Sequence, residues 1–208
     1  MTNNVLCKYL AVVGFSEYRS RIEYVDERVD GWFAEDDPEA EEYDIVIEKA
    51  GGYIRARETY GRRSAFLVNC RKEHLPEALQ SLVILLNNKN YIGMDAYDVF
   101  SSMPRVVDFF LCEIAGDACL DGMRSAVEPD LEYIREHPEE EWVTWAQLEG
   151  DRSVMPDWEL LLEVMDKLNT LTDGLLEFAC SVPVIEKQKS LAAAFWLPAP
   201  EENTGPEN

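Results

Sequence analysis

The sequence of 208 residues predicts an α+β protein, in which an N-terminal antiparallel β-meander is followed by an acidic, mostly helical C-terminal half. Three observations lead to this prediction. Short apolar and β-branched segments separated by glycine occupy the first part of the chain, as is typical of strands. Segments with apolar residues at helical spacing follow after residue 74. Strands that precede helices in this way are typical of the α+β class.

The strand predictions rest on apolar or alternating segments that end at glycine or aspartate. Residues 4–14 form a branched apolar run that ends at Gly14, and residues 19–26 alternate polar with apolar side chains. Gly51–Gly52 is a turn signal between two further segments of this kind. We therefore predict strands at 4–14, 19–26, 45–48, 53–60 and 64–70, with the last three forming the meander.

The helix predictions begin at Pro76, because proline suits the first turn of a helix. The segment 104–115 is nearly all apolar, which predicts a helix at the centre of the core. Pro129 and Pro156 indicate the first turns of two more helices. The predicted helices are 76–87, 95–100, 104–115, 129–137, 139–148 and 156–180, and residues 182–185 and 190–197 are predicted to add a late strand or helix.

The change of character near residue 74 predicts a strand-rich subdomain, 1–74, and an acidic helical subdomain, 75–197. Residues 198–208 are rich in proline, glutamate and asparagine, which predicts a disordered tail. The five widely spaced cysteines predict reduced thiols. Because the chain shows neither a basic leader nor a long apolar run, we expect a cytoplasmic protein without a membrane span.

The net charge of −22 is unevenly distributed along the chain. Residues 1–74 contain 15 Asp and Glu against 11 Lys and Arg, whereas residues 75–208 contain 26 against 8. Phosphate binding requires a cationic surface, so direct binding of nucleic acid is not expected. The expected partner is a basic protein or nucleoprotein complex, and simple solubility is the alternative explanation of the charge.

Residues 128–149 concentrate this charge in eight carboxylates, with Arg135 as their one cation. Helical spacing places Glu159, Glu163 and Asp166 on one face of a second helix. Trp142, Trp145, Trp158 and Tyr133 are candidate anchors for a partner, although core packing is the favoured interpretation for each of them taken singly. The predicted protein-binding residues are Glu128, Asp130, Glu132, Glu136, Glu139, Glu140, Glu141, Glu159, Glu163, Asp166, Trp142 and Trp145.

A basic cluster on the predicted meander interrupts the acidic trend. It comprises Arg55, Arg57, Arg62 and Arg63, with Arg71 and Lys72 nearby. Pairing with carboxylates of the same chain is one explanation of this cluster. A second contact surface, or a homodimer in which the cluster meets the acidic helices of another copy, is the alternative.

Motifs for catalysis, metal binding and cofactor binding are absent from the sequence. His74 and His137 have no recognisable nucleophile partner, and the cysteine and histidine spacings supply no zinc site. No glycine-rich phosphate-binding loop occurs. The sequence therefore predicts a protein that is not an enzyme and that uses no metal or cofactor.

The leading hypothesis is an acidic inhibitor that binds a basic nucleic-acid-binding protein complex and blocks its nucleic-acid site. In composition and size the chain is similar to phage- or plasmid-encoded antagonists of bacterial defence, such as anti-CRISPR and anti-restriction proteins. Several of these proteins imitate DNA, so the resemblance implies a DNA-mimic-like mechanism. One alternative is an immunity protein that neutralises a cationic toxin nuclease, and another is a cytosolic enzyme without a recognisable motif.

Overall fold

The computed structural model describes residues 8–22, 29–60, 64–87, 95–113, 118–138, 142–150, 158–175, 177–181 and 192–200. Strands in these ranges are β1 (Leu10–Val13), β2 (Gly31–Phe33), β3 (Ile45–Ala50), β4 (Tyr53–Glu58), β5 (Ala65–Asn69), β6 (Val106–Glu113), β7 (Val143–Glu149), β8 (Glu177–Ser181) and β9 (Ala192–Pro198). The α-helices are α1 (Leu75–Leu86), α2 (Ala96–Ser102), α3 (Ala118–Glu136) and α4 (Trp158–Leu171). Short 3-10 helices occur at Ser16–Arg21, Pro38–Glu42 and Lys72–His74.

The nine described strands form one mixed sheet in the order β2-β1-β3-β4-β5-β6-β9-β7-β8. Strand β1 lies parallel to both β2 and β3, and the strands β3, β4 and β5 pair antiparallel in chain order. Strand β5 is parallel to β6, so the sheet continues across residue 74. Strand β9 lies antiparallel between β6 and β7, and β8 is parallel to β7.

The predicted fold class is wrong, because the C-terminal half is not mostly helical. It contributes β6, β7, β8 and β9 to the same sheet as the N-terminal strands, in an α/β arrangement with helices between strands. Three segments predicted as helix are strands: β6 lies within 104–115, β7 overlaps 139–148, and β8 lies at the end of 156–180. Within 19–26, residues 19–21 belong to a 3-10 helix, and residues 23–26 lie outside the described residues.

Burial on both faces explains why these strands resemble helices in sequence. All seven residues of β9 are buried, and so are the last six residues of β7. A strand that is covered on both faces loses the alternation of polar and apolar residues that marks a half-exposed strand. Continuous apolar runs of this length fit a buried strand and a buried helix equally well.

Helices cover both faces of the sheet. On one face, α1 and α2 pack on a core that extends from Leu10 in β1 to Trp145 in β7. On the other face, α3 packs through Val127, Leu131 and Ile134 on the C-terminal strands, and α4 adds Leu171. The Pro38–Glu42 helix covers the N-terminal strands on a smaller core of Ala11, Val13, Ala40, Tyr43 and Val46.

The segment 198–208, which was predicted to be a disordered tail, begins within the sheet. Pro198 is the last residue of β9, and the buried Ala199 donates its backbone N–H to the Val106 carbonyl at 3.1 Å. The disordered tail therefore does not begin at residue 198, and residues 201–208 lie outside the described residues.

Cys70 is a free thiol, but Cys112 is disulfide-bonded, so the prediction of reduced thiols is wrong for Cys112.

Trp145 and Trp196 are opposite one another in the register of β7 and β9, and both are 0% exposed. We expect Trp145→Ala to lower the free energy of unfolding by about 3–5 kcal/mol, because it leaves a large cavity in the core. Trp145→Phe should cost less, because it keeps an aromatic ring in the site. Urea unfolding followed by circular dichroism measures both effects.

Tyr97→Ala is the matched control for this series, since the Tyr97 side chain is 60% exposed. The loss for that variant should be within about 0.5 kcal/mol of zero. An alanine variant of Trp145 as stable as that of Tyr97 would contradict the core position of the tryptophan.

Candidate functional site

Helix α4 presents a row of carboxylates to solvent. Glu159, Glu163 and Asp166 lie at i, i+4 and i+7 and are all exposed. Leu162 lies on the same helix face and is 52% exposed, although it is a large apolar side chain. Lys167 approaches this row, with its Nζ 3.0 Å from Glu163 Oε1. The result is a negative surface with an apolar side chain at its centre.

Helix α3 adds a second row on the same side of the sheet. Glu132 and Glu136 are separated by one helical turn and both are exposed. Helices α3 and α4 pack against each other, so their carboxylate rows belong to one layer. In the described part of the chain, no cation forms an ion pair with Glu132, Glu136, Glu159 or Asp166. We call these four residues, together with Leu162 and Glu163, the acidic helix surface.

Glu128 belongs to an ion network within the protein. Arg124 Nε lies 3.1 Å from Glu128 Oε2, and Arg135 Nη1 lies 2.7 Å from Glu128 Oε1. Both arginines also pair with Asp173, in the turn after α4. Hydrogen bonds from Arg124 and then Arg135 lower the pKa of Asp173 to about 2. This network ties α3 to the end of α4, and it leaves Glu128 less available to a partner than its sequence position suggests.

The sequence interpretation missed Arg124 because it placed the start of this helix at Pro129. The helix instead begins at Ala118, and Pro129 lies inside it. Arg124 and Glu128 are therefore separated by one helical turn, a spacing that favours an ion pair. The i, i+4 relation was visible in the sequence once the helix was extended toward its N-terminus.

The two predicted tryptophan anchors occupy different environments. Trp145 is fully buried and donates its indole N–H to Ser102 Oγ at 3.1 Å, so its prediction as a surface anchor is wrong. Trp142 is half-buried, and its indole N–H donates to the His137 carbonyl at 3.1 Å. Its ring centroid is 5.6 Å from that of Tyr133, which fixes it against α3.

Asp130 was expected on the acidic surface but is only 3% exposed, so this expectation is also wrong. Its side chain contacts Asp108 of β6, which accepts a hydrogen bond from Asn69 Nδ2 at 2.8 Å. Burial, and secondarily the neighbouring Asp108, raises the pKa of Asp130 to about 8. The Asp130 carboxyl is therefore neutral near pH 7. The two aspartates form an acid pair that carries less negative charge than two ionised carboxylates.

Sequence reasoning missed Asp108, because it lies in a segment that was predicted as an apolar core helix. A single carboxylate inside such a run was the available signal. Strand pairing places Asp108 opposite Asn69 of β5, and α3 packs on β6 to bring Asp130 to it. Neither neighbour could be deduced from local spacing.

The remaining predicted residues divide into two groups. Glu139, Glu140 and Glu141 lie outside the described residues, as do Arg62 and Arg63 of the basic cluster. Arg55 pairs with Glu48, and Arg57 pairs with Glu48 and Glu41. Arg55 and Arg57 of the basic cluster are thus paired within the chain, with carboxylates of the N-terminal half.

Membrane-spanning helices and metal-binding clusters are both absent from the described residues. No helix there is long and apolar enough to cross a membrane. Nor do three or more histidine, cysteine, aspartate or glutamate side chains of the described part come together as a metal site.

Comparison with known proteins gives only a partial structural likeness. No family model and no curated protein sequence matches the chain. A mutant of FtsZ from M. jannaschii overlaps with 61% of this chain and 38% of its own, at 14% identity and a TM-score of 0.43. The empty FtsZ dimer from M. jannaschii overlaps with 61% and 37%, at 15% identity and a TM-score of 0.45. This chain thus spans less than two fifths of the length of FtsZ.

The acid pair predicts a specific pH dependence of stability. Unfolded aspartate ionises near pH 3.9, whereas Asp130 keeps its proton in the folded protein until about pH 8. The folded state therefore binds more protons between these values, and the free energy of unfolding falls as pH rises, by at most about 1.4 kcal/mol per unit. Asp130→Asn cannot ionise, so the variant should lose less stability between pH 5 and pH 8.

Urea unfolding at several pH values measures this difference. Asp166→Asn is the matched control, since it removes one carboxyl from an exposed position. If wild type and Asp130→Asn lose the same stability between the two pH values, the acid pair does not hold an extra proton.

Proposed function

We propose that this protein is a non-enzymatic inhibitor that binds a basic nucleic-acid-binding protein complex through its acidic helix surface. Bound there, it occupies the site that the complex uses for nucleic acid. The observation that carries the proposal is the exposed Leu162 among Glu159, Glu163 and Asp166. Leu162 offers apolar area that a partner buries on binding, within a group of carboxylates that attracts a cationic surface.

Charge and apolar contact contribute to binding in different ways. Carboxylates that face a cationic partner speed the encounter, and their contribution decreases as salt screens the field. Burial of an exposed leucine contributes affinity that is insensitive to salt, up to about 1.5–3 kcal/mol for a complete side chain. Together these two contributions favour a partner whose basic surface surrounds an apolar contact.

The spacing of the carboxylates supports competition with nucleic acid rather than an exact copy of it. A helix rises about 1.5 Å per residue, so Glu159, Glu163 and Asp166 follow one another at about 4.5–6 Å along the axis. Duplex DNA presents one charge per about 1.7 Å of axis. Lysine and arginine side chains are long enough to reach carboxylates or phosphates at either spacing. The same basic residues cannot bind both at once, so this protein and nucleic acid would exclude one another.

The test compares two variants that remove the same number of charges. In the first variant, Glu159→Gln, Glu163→Gln and Asp166→Asn remove the three carboxylates of α4. In the second, Glu39→Gln, Glu73→Gln and Glu77→Gln remove three exposed carboxylates elsewhere. Immobilised wild-type protein first captures basic proteins from a heparin-binding bacterial fraction. Each captured protein is then purified, and its affinity for the chain and for duplex DNA is measured at low and raised salt.

We expect the α4 variant to bind such a partner about tenfold more weakly at low salt, since three exposed ion pairs contribute about 0.2–1 kcal/mol each. Its affinity should also depend less on salt. The control variant should bind like the wild type, and wild-type protein should displace duplex DNA from the partner. Equal weakening in both variants, or a partner that binds chain and DNA together, would contradict the proposal.

A further inference from the structure

A cleft of about 430 Å³ opens where β5 ends beside β6, away from the acidic helix surface. The last described pair between these strands is Asn69 with Asp108, whereas β6 continues to Glu113. The segment after β5 turns away into the Lys72–His74 helix and leaves this space beside β6. The lining residues are Asn69, Cys70, Arg71, His74, Asp108, Phe109, Phe110, Leu111 and Ala126.

The acid pair provides the negative part of the cleft. Asp108 lines it, and Asp130 contacts Asp108 from α3, one helical turn after the lining residue Ala126. Asp130 is only 3% exposed and does not itself line the cleft, and its side chain is hydrogen-bonded to that of Asp108. Asp108 is therefore the carboxyl that the pair presents to the cleft.

A cationic side chain also lines the cleft. Arg71 and His74 are both in the lining and both are exposed. Burial, and then the charges of Asp108 and Glu77, raises the pKa of the Cys70 thiol to about 11, so this cysteine remains a neutral wall residue. Phe110, Leu111 and Ala126 add apolar surface to the lining.

We propose that this cleft binds a small zwitterion of the amino-acid class. The ammonium group of the ligand lies at Asp108, and its carboxylate faces Arg71. The apolar part of the ligand packs on Phe110, Leu111 and Ala126. This assignment is separate from the partner surface on α4 and does not depend on it.

The charge arrangement selects this ligand class over two others. A simple amine would meet Asp108 but would leave Arg71 as an uncompensated positive neighbour. A metal ion would find too few ligands, since the described residues contain no cluster of three metal-binding side chains. A volume of about 430 Å³ lies in the range of small-ligand sites and leaves room for an amino-acid side chain.

Titration calorimetry at neutral pH with the intact chain tests the proposal. The probes are L-leucine and L-phenylalanine, each compared with the amine that lacks its carboxylate, 3-methylbutylamine and phenethylamine. At least one amino acid should bind, and more tightly than its amine by about tenfold or more, because the amine cannot pair with Arg71. Absence of binding by both amino acids, or equal binding of amino acid and amine, would overturn the assignment.

Variants locate the site of binding. Asp108→Asn should weaken binding of the amino acid by more than about tenfold, because the ammonium loses its charged acceptor. Arg71→Gln should weaken the amino acid but leave the amine unchanged. Glu39→Gln is the matched control, since it removes an exposed carboxylate that does not line the cleft.

Two comparisons complete the experiment. The α4 variant should bind the amino acid like wild type, which separates this site from the proposed partner surface. Amino-acid binding that survives both Asp108→Asn and Arg71→Gln would contradict the cleft as the site. Thermal unfolding of each variant without ligand confirms that a loss of binding does not reflect a loss of folding.

Discussion

The insertion of β9 between β6 and β7 is the constraint on which the C-terminal half depends. Strand β9 pairs antiparallel with both neighbours, and β7 and β8 reach the rest of the sheet only through it. The register joins Val107 to Pro198, residues that are far apart in the chain. Such a pairing closes a long loop, so the chain loses conformational entropy before the new contacts stabilise the fold.

The elements that the sequence predicted well are those with local signals. A glycine pair joins β3 to β4, and Pro76 lies in the first turn of α1. Helix α2 begins with a capping box formed by Asp95 and Asp98. Each of these signals acts through neighbours within a few residues, so the linear sequence contains all of its information.

The strands of the C-terminal half depend on partners that the linear sequence does not show. Ala192–Ala194 would favour a helix by propensity, but pairing with β6 and β7 makes them strand. The same limitation applies to the candidate site. Helical spacing shows that Asp130 and Leu131 project from the helix at different angles from Glu132. Only the packing of the helix on the sheet decides which of these side chains is buried and which is exposed. The exposed row on α4 could be predicted from spacing, whereas the contact of Asp130 with Asp108 could not.

The formal charge of −22 overstates the charge that a partner meets, because the carboxylates have different environments. Asp173 and Glu128 are neutralised by Arg124 and Arg135, and the buried Asp130 keeps its proton near neutral pH. The carboxylates of the acidic helix surface lie exposed at the protein boundary. A basic partner of the kind proposed above would therefore respond to the position of the charges on α3 and α4 more than to their total number. Since the field of a charge is screened within about 10 Å at moderate salt, distant carboxylates contribute little to that contact.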